Sequence, residues 1–138
     1  MTAILNPYLN FRGDARDALE FYHDVFGGEL SLMTFGEMGD PYPGWTDMIM
    51  HGQIDTDKKF TLMASDTPDT MEYAVGVNNF SVSLSGAKAD EPELRGYWDK
   101  LAAGAEISQP LEAAPWGATF GMLKDKFGIN WLINISAE

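Results

Sequence analysis

The stretch that decides the fold reads Phe21-Tyr22-His23-Asp24-Val25-Phe26-Gly27-Gly28-Glu29-Leu30, and its pattern recurs in Trp98-Asp99-Lys100-Leu101-Ala102-Ala103-Gly104-Ala105-Glu106-Ile107. Each copy is the end of an amphipathic helix, followed by a glycine that can end the helix and by an acid that leads into a strand. A chain built from two such copies is expected to have a pseudo-twofold axis. Sheets that meet across this axis would enclose a cleft.

The first half predicts the element order β-α-β-β-β. Its helix begins after Asp14 as the N-cap and ends at Gly27 and Gly28. One apolar stripe at helical spacing is formed by Ala15, Ala18, Leu19, Tyr22, Val25 and Phe26. Strands are expected over residues 5–11, 30–35, 48–54 and 60–65, with a hairpin turn at 57–59.

The second half predicts the same order. Its helix has Asp90 as the N-cap with Glu93 at the capping-box position, and it ends at Gly104. Its buried stripe consists of Leu94, Tyr97, Trp98, Leu101 and Ala102. Strands are expected over residues 79–84, 107–110, 118–123 and 130–135. We therefore predict one domain over 1–138, with module one at 3–65, a linker at 66–76 and module two at 77–136.

Composition narrows the classes of protein and partner. The 138 residues include nine basic and 21 acidic side chains, for a net charge of -12, and no cysteine. Such a negative field disfavours nucleic acid and anionic membranes as partners. The chain has no apolar run of about 20 residues that could cross a membrane, and its start lacks the basic residues of a secretory signal. We expect a cytoplasmic protein.

Alternation along three strands predicts which side chains line the cleft. Apolar residues at every second position should pack on the helices and leave the other positions to the cavity. On this pattern Phe80, Val82 and Leu84 are assigned to the core. The residues assigned to the cavity are Tyr8, Asn10, Asn79, Ser81, Ser83, Asn130, Leu132 and Asn134. The cavity is thus expected to be uncharged and rich in amide and hydroxyl groups.

A loop of about a dozen residues, 36–47, is longer than most connections. It carries Met38, Tyr42 and Trp45 among glycines and prolines. The loop could cover the cleft, pack against a partner subunit, or form a local aromatic cluster. The sequence leaves these three alternatives open.

His51 is the candidate catalytic residue, because a histidine on a strand near the cleft can transfer protons near neutral pH. It could act as a general base, a lone metal ligand or a hydrogen-bond donor to a ligand. The alternative is a structural histidine that bonds to a neighbouring strand or lies at a dimer interface. The other histidine, His23, falls opposite the apolar stripe of its helix and is expected to be exposed.

Six segments of the chain together form a recognisable set. They are Pro7-Tyr8-Leu9-Asn10-Phe11-Arg12-Gly13-Asp14-Ala15, Ala18-Leu19-Glu20-Phe21-Tyr22, Val25-Phe26-Gly27-Gly28, Leu62-Met63-Ala64-Ser65-Asp66, Trp116-Gly117 and Asp125-Lys126-Phe127-Gly128-Ile129-Asn130-Trp131. In this order they resemble the PhnB-like branch of the vicinal oxygen chelate superfamily, which includes glyoxalase I, bleomycin-resistance proteins, fosfomycin-resistance transferases and extradiol dioxygenases. The resemblance implies a glyoxalase-like α+β domain. Its paired β-α-β-β-β modules would form a curved mixed sheet around a cleft, usually in a homodimer.

Metal-using relatives imply a divalent cation held by His, Glu or Gln side chains in that cleft. By resemblance the corresponding positions fall on Pro7 or Tyr8, Met63, Asn79 and Leu132. None is a histidine or a carboxylate, and hard cations and zinc need such ligands. We therefore predict neither a metal nor another cofactor.

Two functions remain open. The first is metal-free binding of a small polar, aromatic or cationic molecule, of the resistance or sequestration type, for which Tyr8, Tyr42, Trp45 and Trp116 offer aromatic faces. The second is a glyoxalase-like lyase, isomerase or transferase that uses a weakly held divalent metal near His51 with help from Gln53, or that polarises a carbonyl without metal through Asn and Ser donors. The residues predicted to bind the ligand are Tyr8, Asn10, Trp45, His51, Gln53, Asn79, Ser81, Trp116, Leu132 and Asn134.

Overall fold

A computed structural model describes residues 5–39, 41–57, 60–74 and 80–138. Its first half contains β1 (Tyr8–Phe11), α1 (Ala15–Phe26), β2 (Glu29–Thr34), β3 (Ile49–Asp55) and β4 (Thr61–Asp66). Its second half contains β5 (Val82–Gly86), α2 (Glu91–Leu101), β6 (Glu106–Ala113), β7 (Thr119–Lys124) and β8 (Asn130–Ile135). Short 3-10 turns lie at Gly36–Met38 and Lys88–Asp90. The predicted β-α-β-β-β repeat is confirmed.

Each half forms its own four-stranded mixed sheet. The strand orders are β1-β4-β3-β2 and β5-β8-β7-β6, so the two sheets have the same topology. The first strand of each half pairs in parallel with the last, and the other pairings are antiparallel. The described chain divides into two compact units on either side of residues 75–79. The predicted α+β class is confirmed.

The core of the first unit lies between α1 and one face of its sheet. Every residue of the predicted stripe on α1 is buried. The strands add Leu9, Phe11, Ile49, Ile54, Leu62 and Ala64, all at most 3% exposed. This apolar burial favours folding by about 25 cal/mol per Å². Within the described part of this unit, α1 packs on only one face of the sheet.

The core of the second unit is built in the same way around α2. The helix buries Leu94, Tyr97, Trp98 and Leu101. The strands bury Leu123, Trp131, Ile133 and Ile135. Ala102, which we had placed in the stripe, follows the last helical residue and is half-buried.

Asp14 and Asp90 are the N-cap residues of α1 and α2, as the sequence predicts. Neither Asp14 nor Asp90 makes a side-chain capping bond. Asp66 accepts the free N–H groups of Gly13 and Ala15 instead, and the carboxylate of Asp90 accepts the N–H of Ala87 ahead of its helix. The predicted capping box of Asp90 and Glu93 is therefore wrong.

The strand predicted at 79–84 also differs, because β5 begins at Val82 and continues to Gly86. Val82 and Leu84 take the less exposed alternate positions of β5, as predicted, but they are half-buried and not part of the core. Phe80 precedes the strand and is 58% exposed, so its assignment to the core is wrong. Asn79 lies outside the described residues, as do two residues of the predicted 57–59 turn. Among the described helices, none has the length and hydrophobicity to span a membrane.

Candidate functional site

The face of the first sheet opposite α1 carries a connected group of polar side chains. In β1 the burial alternates, so Leu9 and Phe11 are buried, as predicted, and Tyr8 and Asn10 lie on the opposite, exposed face. That these two residues line a cleft stays a prediction. Strand β3 places His51, Gln53 and Asp55 on alternate positions.

Tyr8 and His51 meet across β4, the strand between them. The Tyr8 hydroxyl lies 3.1 Å from His51 Nδ1, and the two rings are 5.6 Å apart. Tyr8 is paired in register with Met63 of β4, and Met63 is paired with Gln53 of β3. The sheet register therefore sets the spacing of the two rings.

Gln53 continues the network along β3. Its Oε1 lies 3.1 Å from His51 Nε2, and its Nε2 donates to both carboxylate oxygens of Asp55 at 2.9 and 3.0 Å. The Thr61 hydroxyl donates to Asp55 Oδ1 at 3.0 Å. Five side chains thus form one hydrogen-bonded chain, in which both ring nitrogens of His51 have partners.

The long loop closes through local contacts. Tyr42 packs edge-on against Phe35, with ring centroids 5.4 Å apart. The N–H of Trp45 donates to the Tyr42 carbonyl, and the N–H of Met48 donates to that of Trp45. The ring contact of Tyr42 with Phe35 agrees with a local aromatic cluster, while cover of the cleft and packing against a partner subunit stay predictions. A role of half-buried Trp45 in binding a ligand stays a prediction.

The face of the second sheet opposite α2 carries a pocket of about 370 Å³ beside the turn between β6 and β7. Trp116, which is 67% exposed, stands at its edge and contacts Phe120 with ring centroids 5.8 Å apart. The pocket is lined by Ser108, Gln109, Glu112, Ala113, Ala114, Pro115, Trp116, Phe120 and Met122. Apolar rings and a carboxylate therefore share one concave surface.

A second groove of about 540 Å³ lies on the same unit. It brings together Ser81 and Leu132, both predicted to bind the ligand, with Asn130 and Met122. Leu132 is paired in register with Met122 and Ser83, and the predicted alternation along β8 is confirmed. Met122 lines both concave surfaces, so they are neighbours on the unit.

The predicted ligand-binding residues are thus distributed over several places. Tyr8, His51 and Gln53 are hydrogen-bonded together, and Ser81 and Leu132 share a groove. Asn10 is exposed on β1, Trp45 is in the loop, Trp116 is at the pocket edge, Asn134 is paired with Phe120, and Asn79 lies outside the described residues.

Asp55, Thr61, Glu112, Phe120 and Met122 were not predicted. Asp55 could have been found, because it continues the alternation of His51 and Gln53 along β3. Phe120 and Met122 also alternate on β7. Their pocket depends on how the turn places Trp116, and strand periodicity carries no information about that turn.

Among the described residues, the side chains at the positions that the resemblance implies for a metal do not fit a divalent cation. Tyr8 and Met63 are register partners that offer a phenol and a thioether, and Leu132 offers no donor atom. Within the described ranges, no three His, Asp or Glu side chains come close enough to share an ion. A metal at His51 would have to displace either Tyr8 or Gln53 from the ring.

Known proteins match this chain over nearly its whole length. Protein YjdN of Escherichia coli (strain K12) is 28% identical over 145 residues, which cover 95% of this chain and 94% of that protein. The crystal structure of protein PA1353 from Pseudomonas aeruginosa is 35% identical, has a TM-score of 0.84 and covers 98% of both chains. The PhnB protein from Bacillus cereus is 22% identical, with a TM-score of 0.72 over 97% of this chain and 100% of that chain.

A family model matches residues 4–133. It describes the superfamily to which the sequence motifs pointed. The chain belongs to the Glyoxalase/Bleomycin resistance protein/Dioxygenase superfamily.

Proposed function

We propose that the protein binds a small polar aromatic or cationic molecule without a metal, in the manner of a resistance or sequestration protein. The pocket beside Trp116 carries this proposal. It offers aromatic rings from Trp116 and Phe120, the adaptable thioether of Met122 and the carboxylate of Glu112 around one volume. A planar cation would find both a ring face and an opposite charge there.

The chemistry of the lining favours a cation over an anion. A cation on the face of tryptophan gains about 0.5–1 kcal/mol at an exposed site. Glu112 is the charged side chain of the lining, and the net charge of -12 attracts cations toward the protein. An anion of the same shape would be repelled both by Glu112 and by the net charge of the protein.

The direct test is a thermal-shift screen with matched pairs of aromatic cations and their carboxylate analogues at low salt. We expect the melting temperature to rise with cation concentration, as linkage requires of a ligand that binds the folded state. Trp116→Ala should remove the shift without affecting folding, since the side chain is largely exposed. A screen that yields only anionic ligands, or none, contradicts the proposal.

Glu112→Gln separates charge from shape. The substitution should weaken the binding of cations and leave the binding of neutral isosteres unchanged. Glu37→Gln in the first unit is the matched control. Equal loss for cations and neutral isosteres would mean that Glu112 acts through shape alone.

A glyoxalase-like enzyme with a divalent metal near His51 is the alternative to be excluded by experiment. Elemental analysis of protein purified without an affinity tag measures the metal content directly. A stoichiometric divalent ion that is lost in His51→Ala would overturn the metal-free proposal.

We further propose that the protein acts as a cytoplasmic homodimer. The edge strand β6 supports a dimer, because all of its residues except Leu111 are exposed. They include Ile107, which is 49% exposed. A second copy would cover this apolar surface and an edge with free backbone groups.

A further inference from the structure

The hydrogen-bonded chain on the first sheet has a direction, and Asp55 sets it. An ionised carboxylate can only accept hydrogen bonds. The NH₂ end of Gln53 therefore faces Asp55, to which its Nε2 donates twice. As a result, Gln53 Oε1 is left facing His51 Nε2.

This arrangement selects one tautomer of His51. Because Gln53 Oε1 is an acceptor, His51 Nε2 carries a hydrogen, and in the neutral ring Nδ1 then has a lone pair. The Tyr8 hydroxyl, 3.1 Å away, donates to that lone pair. The hydrogen bonds from Tyr8 through His51 and Gln53 thus all point toward Asp55, which also accepts from Thr61 on its other side.

We propose that Tyr8 and His51 form a metal-independent proton-accepting site for a neutral ligand with a weakly acidic hydroxyl, such as a phenol or an enol. Tyr8 is 44% exposed, so its oxygen is accessible from outside while its hydrogen is directed to His51. Gln53 and Asp55 are positioning residues, since they act on the ligand only through His51.

The proton transfer balances within these groups. The ligand O–H bond breaks as its proton moves to the Tyr8 oxygen. The Tyr8 O–H bond breaks in turn, and that proton forms a bond with His51 Nδ1. The products are a ligand oxyanion that accepts a hydrogen bond from Tyr8 and a His51 imidazolium. The imidazolium keeps its bond to Gln53 Oε1, with Asp55 behind it.

Charge explains why the ligand should arrive neutral. Asp55 is the charged member of the network, and it is an anion. A free anion would also approach against the net charge of -12. Proton transfer places the new anion beside the new imidazolium, so the two charges compensate each other.

The test uses 4-nitrophenol, whose ionised form absorbs at longer wavelength than its neutral form. The probe is mixed with excess protein about one unit below its own pKa, where about a tenth is ionised in solution. We expect the ionised fraction to rise several-fold on binding, and Tyr8→Phe and His51→Asn to abolish the rise. His23→Asn, a change in the other histidine, should leave it intact.

Three results of this test contradict the proposal. They are binding without ionisation, ionisation that persists in Tyr8→Phe or His51→Asn, and no binding at millimolar probe. The same measurement on Trp116→Ala distinguishes this site from the proposed cation pocket. The variant removes an aromatic wall of that pocket and leaves Tyr8 and His51 unchanged, so the ionisation of 4-nitrophenol should persist.

A second measurement needs no ligand. Two-bond ¹H–¹⁵N correlations identify which nitrogen of a neutral histidine carries the hydrogen. We expect the Nε2–H form for His51 and a mixture of tautomers in Gln53→Leu, which removes the acceptor. The Nδ1–H form in the wild-type protein would overturn the proposed direction of the network.

Discussion

The buried carboxylate of Asp66 accepts hydrogen bonds from three backbone N–H groups. It is 3% exposed, and its Oδ1 accepts the N–H groups of Gly13 and Ala15 at 2.7 and 3.0 Å. Its Oδ2 accepts the N–H of Ile49 at 3.0 Å. The carboxylate therefore joins the end of β4 to the start of α1 and to the start of β3.

Asp66→Asn is expected to destabilise the protein by about 2 kcal/mol, because the amide NH₂ would face a backbone N–H and leave it without an acceptor. Urea unfolding measures the change as a lower midpoint with an unchanged slope. Asp69→Asn, at an exposed position, is the control. Equal midpoints for the two variants would contradict this role of Asp66.

At the scale of elements, both helices pack on their sheets over a glycine. Gly52 on β3 lies under Leu19 of α1, and Gly121 on β7 lies under Trp98 of α2. A Cβ at Gly121 would come within 2.9 Å of the Trp98 ring and of the Leu111 Cα. In both halves, a glycine on the equivalent strand thus lets a large side chain of the helix lie close to the sheet.

Gly121→Ala should cost about 1–3 kcal/mol, since the rigid indole and the β6 backbone must both move. Thermal unfolding should show the loss as a lower melting temperature. Gly52→Ala is expected to cost less, because its closest contact is the flexible end of Leu19. An unchanged melting temperature for Gly121→Ala would show that α2 can shift freely on the sheet.

Gly96, in contrast, lies in α2 with no atom within 4 Å of an added Cβ. Gly96→Ala is expected to stabilise the protein by about 0.5–1 kcal/mol, because alanine loses less backbone entropy in a helix. The same thermal unfolding experiment measures the gain. A loss of stability would mean that this exposed face of α2 contacts something in solution, such as a second subunit.

At the scale of the whole molecule, charge should govern ligand affinity. With a net charge of -12, binding of a cationic aromatic probe such as phenyltrimethylammonium is expected to weaken several-fold as salt rises to about 0.5 M, because ions screen exposed charges. Calorimetric titration of a neutral isostere provides the control. Equal salt dependence for both would argue against electrostatic attraction.

The proposed dimer is tested at the same scale. Light scattering should give about twice the chain mass of 15.2 kDa, and Ile107→Lys on β6 should reduce it to the monomer mass because a charge would be buried at the interface. Met71→Lys, at a similarly exposed apolar position, should leave the mass unchanged. A wild-type monomer at micromolar concentration would contradict the proposal.

The elements and their faces could be predicted because they depend on local periodicity. The stripe on α1 and the alternation of β1 and β8 follow directly from the order of apolar residues. Phe80 was misplaced because alternation cannot say where a strand begins. Asp66 was assigned to the linker, since the N–H groups it accepts are more than 15 residues away along the chain.

The sequence by itself determined the repeated β-α-β-β-β order and the faces of β1 and β8, since these depend on neighbours within a few residues. It also indicated the family, because six motifs occur in the right order along the chain. Only the tertiary structure decided that Tyr8 meets His51 across a strand and that Trp116 joins Phe120 beside Glu112. Strand register and the path of a turn bring these groups together. Both arise from packing between segments far apart in the chain, which local periodicity does not encode.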